Sequence, residues 1–179
     1  MSTLTVRHWQ KPDDAALKNI LQVQIFEDPA WPPAYAHTLN LGDWLGNPAD
    51  LGRWVAVSAG CVVGHIGLGT INGSVAEAFA KCTGHHPDQF AELCRTVVDA
   101  RKRGSGVASA LTRAALKSSL AMRRIPVATV LTGRGTWLEM MLNTGWQRIG
   151  DIETIAPNER LVLLLAPRKF VDGVNPDGG

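Results

Sequence analysis

The stretch that most constrains this chain runs from Ala91 to Leu116, AELCRTVVDARKRGSGVASALTRAAL. Glu92 to Val98 is short, rich in Val and Thr and bounded by charge, which predicts a buried strand. Val107, Leu111, Ala114 and Ala115 then recur at helical spacing, with Arg113 and Lys117 on the other face. Between strand and helix lies Arg101-Lys102-Arg103-Gly104-Ser105-Gly106. Its glycines let backbone approach a ligand closely, and the helix start offers unpaired N–H groups at the positive end of the dipole. Such a place binds an anion, most naturally a phosphate or pyrophosphate. No acid falls between Asp99 and Glu139, so the local field is positive although the whole chain is only +2.

Two phosphate-binding loops fail on this turn. A Walker loop needs Gly-Lys followed by Ser or Thr, which is absent. A dinucleotide fingerprint needs a third small residue and an acid at the end of the next strand. Ser109 stands where the third glycine belongs, and Val127 to Leu131 has no acid. The spacing R-x-x-G-x-G, here Arg101, Gly104 and Gly106, sits behind an E-L-x-x-x-x-V strand. It resembles the acyl-CoA-binding signature of the GNAT superfamily of N-acetyltransferases. Thr96 stands where that signature has a hydrophobic residue, and Ala100 where it often has proline.

The element order supports the resemblance. Leu4 to Trp9 alternates like a strand, and Pro12-Asp13-Asp14 starts a helix with buried face Ala16, Leu17, Ile20, Leu21 and Val23. Prolines after Glu27 end it, and a second helix is expected near Tyr35 to Trp44. Trp54–Ser58 and Cys61–Leu68 flank Ala59-Gly60 as a hairpin. Gly64, Gly67 and Gly69 suggest bulges or close backbone approach. Ser74 to Lys81 reads as a short helix, Pro126–Leu131 as a strand and Gly135–Asn143 as a helix. Trp146–Ile149 and Arg160–Ala166 complete the strands. Val62-Val63-Gly64 resembles the second strand of the GNAT hairpin, and Leu142-Asn143-Thr144-Gly145-Trp146 the last GNAT motif. The expected fold is therefore α/β (α+β), with a mixed central sheet of six to seven strands and about four flanking helices. One domain is expected over residues 1–170, with a flexible tail at 171–179.

Composition adds bounds. At 179 residues the chain is long enough for one sizeable core. A pI of 8.6 is too mild to argue for nucleic acid. No apolar run reaches bilayer length and Met1–Gln10 lacks a signal-peptide core, so a cytoplasmic protein without membrane partners is expected. Cys61, Cys82 and Cys94 form neither a disulfide framework nor a zinc pattern, and no metal is expected.

The resemblance implies an acetyl-CoA-dependent N-acetyltransferase acting on a small-molecule or peptide amine, with acetyl-CoA as co-substrate. It implies that backbone N–H groups from Arg101 through Ala108, including those of Arg103, Gly104, Ser105, Gly106 and Val107, wrap the CoA pyrophosphate. The backbone near Val98 would pair with the pantetheine arm and face the thioester oxygen. Glu92 matches the carboxylate that accepts the amine proton, often through water; the alternatives are an exposed strand carboxylate or a salt-bridge partner of Arg95. On a strand, Glu92, Cys94 and Thr96 share one face and Arg95 the other. Trp31 and Tyr35 fall in the segment that walls the acceptor pocket in relatives, where cation–π contact would receive an amine; alternatively they staple two helices together. Met141 stands where many relatives carry a tyrosine acid. That departure keeps a second reading open, a catalytically weak acyl-CoA-binding or regulatory protein. The resemblance also leaves a homodimer open, with the last strands as the place for pairing.

His65 reads as a packed core residue rather than a catalyst, and His85-His86 as a loop pair too poor in ligands for a metal. Arg123-Arg124 reads as a solvated helix end, and Arg134 as an exposed helix start or a partner of a CoA phosphate.

Overall fold

The computed structural model describes residues 3–27, 44–46, 50–132, 135–153 and 160–171. Along these run β1 (Leu4–His8), α1 (Asp13–Glu27), β2 (Asp50–Ser58), β3 (Cys61–Gly69), α2 (Gly73–Thr83), β4 (Phe90–Val98), α3 (Val107–Ala121), β5 (Ile125–Leu131), α4 (Gly135–Asn143), β6 (Gln147–Glu153), β7 (Arg160–Leu165) and a single turn, α5 (Arg168–Val171). The seven strands follow the order β1-β2-β3-β4-β5-β7-β6, with β4 and β5 parallel. This is the mixed sheet expected from the sequence. No helix among the described residues is long and apolar enough to cross a membrane.

One compact unit comprises residues up to Leu68 together with Arg95–Ala115. In it β1 pairs antiparallel with β2, from Leu4↔Ser58 to His8↔Trp54. The first turn of α1 is tied to β1. The Asp13 carboxylate accepts from both terminal nitrogens of Arg7, at 2.8 and 2.7 Å, and from the Gln10 amide at 2.8 Å. The Arg7 side chain thereby holds the Asp13 carboxyl below the usual range, against the opposing push of burial.

Leu17, Ile20 and Leu21 of α1 are buried with Trp44, Leu45, Val55 and Val97. Val23 does not join them; it is 52% exposed. At about 100° per residue it lies roughly 120° around the helix from Leu17, outside the apolar stripe. The β2–β3 hairpin turns on Ala59 (φ 50°) and Gly60 (φ 77°), the two left-handed positions of a tight turn that matches strand twist. Gly64 explains itself by contact. A Cβ there would meet Val107 Cγ1 and the Val97 carbonyl oxygen at 2.9 Å. Only a bare α-carbon lets α3 lie this close to β3.

The other compact unit comprises Gly69–Cys94 and residues from Leu116 onward. Phe90, Ala91 and Glu92 pair with Ile125, Pro126 and Val127. β5 then pairs antiparallel with β7, from Val127↔Leu165 to Leu131↔Leu161, and β7 with β6. Ile71, Ala76, Phe79, Phe90, Ile125, Val127 and Leu163 form the core. Strand β6 runs further than expected, to Glu153, with an irregularity between Arg148 and Gly150 that the hydrophobic pattern does not announce. Arg124 is half-buried rather than solvated, and donates to the Phe90 carbonyl at 3.2 Å.

Candidate functional site

The turn between β4 and α3 is built around Asp99. Its amide donates to the Val63 carbonyl at 2.9 Å, which anchors the end of β4 to β3. Its carboxylate is 8% exposed as a residue and faces Arg101. Oδ1 accepts from the Arg101 amide at 3.0 Å and from Nε at 3.1 Å, and Oδ2 from Nη2 at 2.7 Å. These bonds hold the Asp99 carboxyl below the usual carboxylate range although burial pushes it up. Lys102 N–H closes the short turn on the Asp99 carbonyl at 2.8 Å. The Ser105 hydroxyl donates to the Lys102 carbonyl at 2.6 Å.

The next residues leave donors exposed. Gly104 (φ 75°) and Gly106 (φ 82°) are left-handed, and a Cβ on either would meet nothing within 4 Å. Both glycines are therefore required by backbone angle and not by crowding. The amides of Arg101, Lys102, Arg103 and Ser105 already have acceptors within the turn. Among the described residues, the amides of Gly104, Gly106, Val107, Ala108 and Ser109 have none; the first bond of the helix runs from Ala110 N–H to the Gly106 carbonyl at 3.0 Å. Open N–H groups at the start of a fifteen-residue helix, at the positive end of its dipole, are donors of the kind that suit an anion. The Arg101 guanidinium is committed to Asp99, so Lys102 and Arg103 are the neighbouring cations.

Glu92 is half-buried on β4, and its Oε1 accepts from the Thr129 hydroxyl of β5 at 2.6 Å. The Val98 carbonyl accepts from Gln24 Nε2 of α1 at 3.0 Å. Between them β4 is not regular. Arg95 has φ 51°, so the alternation placing Glu92, Cys94 and Thr96 on one face breaks at that residue. The left-handed region costs a non-glycine residue on the order of 1–3 kcal/mol unless its surroundings hold it there. The Arg95 guanidinium meets Asp50 of β2 and the Trp44 carbonyl. The Arg95 carbonyl accepts from His65 Nδ1 at 3.0 Å.

Trp31, Tyr35 and Arg134 lie outside the described residues. Among those described, no group of His, Cys, Asp and Glu could hold a metal ion. His86 and Gln89 instead cap the short turn Pro87–Gln89. Cys94 is half-buried. Met141 is buried at 1% exposure. The sequence reading missed Asp99 and Thr129. For Asp99 a signal exists, an acid immediately ahead of a turn whose second residue is arginine. For Thr129 there is none.

The model of the acetyltransferase (GNAT) family matches residues 14–134, which contain the turn and all of β4. The chain belongs to the GNAT acetyltransferase family. Solved acetyltransferases share its fold at low identity. The ribosomal-protein-S18-alanine N-acetyltransferase from Escherichia coli has 12% identity and a TM-score of 0.65, over 92% of this chain and 94% of its own. An N-acetyltransferase from Staphylococcus aureus Mu50 has 17% identity and 0.67, over 93% and 99%. The protein yncA from Salmonella typhimurium, solved with its cofactor acetyl-CoA, has 14% identity and 0.63, over 92% and 93%. No curated protein matches the chain by sequence. In this GNAT chain the signature glycines are Gly104 and Gly106, and the open amides follow from their conformation.

Proposed function

We propose that this GNAT chain moves the acetyl group of acetyl-CoA to a primary amine by direct attack in a ternary complex. The observation that carries the reading is the row of open amides at Gly104 and Gly106–Ser109, ahead of α3. Five fixed donors at a helix start suit the two phosphates of a pyrophosphate, and the loop is held by Asp99 before any ligand arrives. Acetyl-CoA brings an activated acyl carbon and a thiolate leaving group.

Glu92 is the proton acceptor in this reading. A free amine is mostly protonated near neutral pH, so a base must take a proton before or as nitrogen attacks. The C–N bond forms, the C–S bond breaks, and the amine proton passes to Glu92 directly or through water. The Thr129 hydroxyl donates to one carboxylate oxygen and so orients the Glu92 side chain. Cys94 is assigned no covalent role, because direct attack needs none. Met141 carries no proton for the thiolate. A thiol pKa of about 8.5 makes unaided expulsion cost about 2 kcal/mol at neutrality, which slows turnover without forbidding it.

Met141 also favours a second reading, a GNAT-fold acyl-CoA-binding or regulatory protein with little catalysis. Calorimetric titration with acetyl-CoA, CoA and dephospho-CoA, on wild type and Gly104→Glu, tests the cradle common to both. Thiol release over a panel of amines and peptide N-termini separates them. Binding with no product on any acceptor selects the second reading, and no binding to the folded wild type removes both.

A further inference from the structure

Three adjacent strands each contribute one side chain to a single point on β4: Asp50 from β2, His65 from β3 and Arg95 from β4 itself. Arg95 interrupts a nine-residue strand with a left-handed backbone, a conformation its side chain does not favour. Both ends of the residue are held. The guanidinium meets Asp50 and the Trp44 carbonyl, and the main-chain carbonyl meets His65. A carbonyl only accepts, so His65 carries its proton on Nδ1. His65 is fully buried, and its Nε2 has no hydrogen-bond partner among the described residues. Burial of an imidazole with one nitrogen unsatisfied is unfavourable for folding alone and calls for another reason. Beyond Arg95 the strand runs through Thr96 and Val97 to Val98 and Asp99, where the phosphate-binding turn begins.

We infer that His65 and Asp50 are positioning residues that clamp Arg95 in its left-handed conformation and so set the direction of the Arg95–Val98 backbone presented to the acyl-CoA. This rests on the acetyl-transfer reading above. Neither side chain touches substrate; each acts through the Arg95 backbone. The clamp is separate from the Asp99 clasp, which shapes the phosphate turn. Its loss therefore affects alignment of the thioester more than capture of the pyrophosphate.

The test uses His65→Phe, which keeps ring volume and removes both nitrogens, alone and with Arg95→Gly, which occupies positive φ without a clamp. In His65→Phe the expected kcat falls about ten- to a hundredfold, the scale of a misalignment near 1 Å, while calorimetric acetyl-CoA affinity is retained. Amide hydrogen exchange at Arg95–Val98 becomes faster. His65→Phe/Arg95→Gly recovers part of the kcat and part of the exchange protection. Wild-type kcat and exchange in His65→Phe overturn the proposal, as does a double variant no better than the single one. If His65→Phe fails to fold, the double variant is expected to fold, and its failure counts against the clamp. If the wild type acetylates no amine, the acetyl-transfer reading fails. Exchange at Arg95–Val98 still decides whether the clamp exists.

Discussion

Asp99 and Arg101 form a closed clasp: one carboxylate receives both the backbone amide and the guanidinium of a residue two positions later. The arginine end is exposed, so the ion pair itself is screened and adds little stability. Its effect is geometric. The clasp fixes the start of the turn that leads from β4 to the open amides of Gly104 and Gly106–Ser109.

Asp99→Ala should therefore damage binding more than stability. The loss of a capping acceptor costs about 1 kcal/mol of folding free energy. Acetyl-CoA affinity is expected to fall by tenfold or more, at about 1.4 kcal/mol per tenfold. Asp99→Asn, which keeps one acceptor oxygen, should lie between. Calorimetry paired with thermal melting checks the ordering; equal affinity in all three proteins would show that the turn keeps its shape without Asp99.

Gly104 separates backbone strain from ligand competition. A side chain there meets no atom within 4 Å, so Gly104→Ala bears only the strain of φ 75°, about 1–2 kcal/mol. Gly104→Glu bears the same strain and adds a carboxylate beside the open amides. Similar melting temperatures are expected, with acetyl-CoA binding retained in part by Ala and lost with Glu. Two variants that bind equally well would place the phosphates elsewhere.

Glu92→Gln removes the proton acceptor and keeps the shape. On the proposed mechanism kcat drops about 10²- to 10⁴-fold, with acetyl-CoA affinity unchanged. Thr129→Val leaves the carboxylate without its 2.6 Å donor and should lower kcat less. Steady-state kinetics at saturating acetyl-CoA distinguishes the two; a Glu92→Gln enzyme as fast as wild type would assign the base elsewhere.

His65 gives the fold an acid-side stability slope. Burial, reinforced by the charges of Arg95 and Arg53, lowers its pKa to about 4, while the bond to the Arg95 carbonyl opposes that shift. The unfolded chain, with an ordinary His value of about 6.5, binds the extra proton between the two. Stability thus rises with pH there, complete above about 6.5 and lost as pH falls toward 4, by up to about 3 kcal/mol. The Asp13 and Asp99 carboxyls, held below the usual carboxylate range by Arg7 and Arg101, add their losses only in stronger acid. Denaturant melts from pH 7 to 4 should show the slope in wild type and not in a folded His65→Phe/Arg95→Gly protein. Equal slopes in the two would assign the proton uptake to another group.

Much of this molecule was legible in the chain because its determinants are local. Leu17, Ile20 and Leu21 fall on one helical stripe, and Ala59-Gly60 marks the hairpin whichever strands it joins. Val23 was misassigned for a physical reason: an apolar residue just off a stripe has the same hydrophobicity as one on it. Regular alternation misassigned β4, since no composition rule signals a left-handed arginine inside a strand.

By itself, then, the sequence determined the order of elements, the family and the glycine turn ahead of α3, since glycine at 104 and 106 permits left-handed backbone there whatever the rest of the chain does. Tertiary structure alone decided what holds strand β4 in place. Thr129 meets Glu92 across 37 positions, and His65 meets Arg95 across 30. Such pairs depend on strand register and on an irregular backbone, and hydrogen bonds of a few ångströms are set by those long-range choices rather than by neighbouring residues.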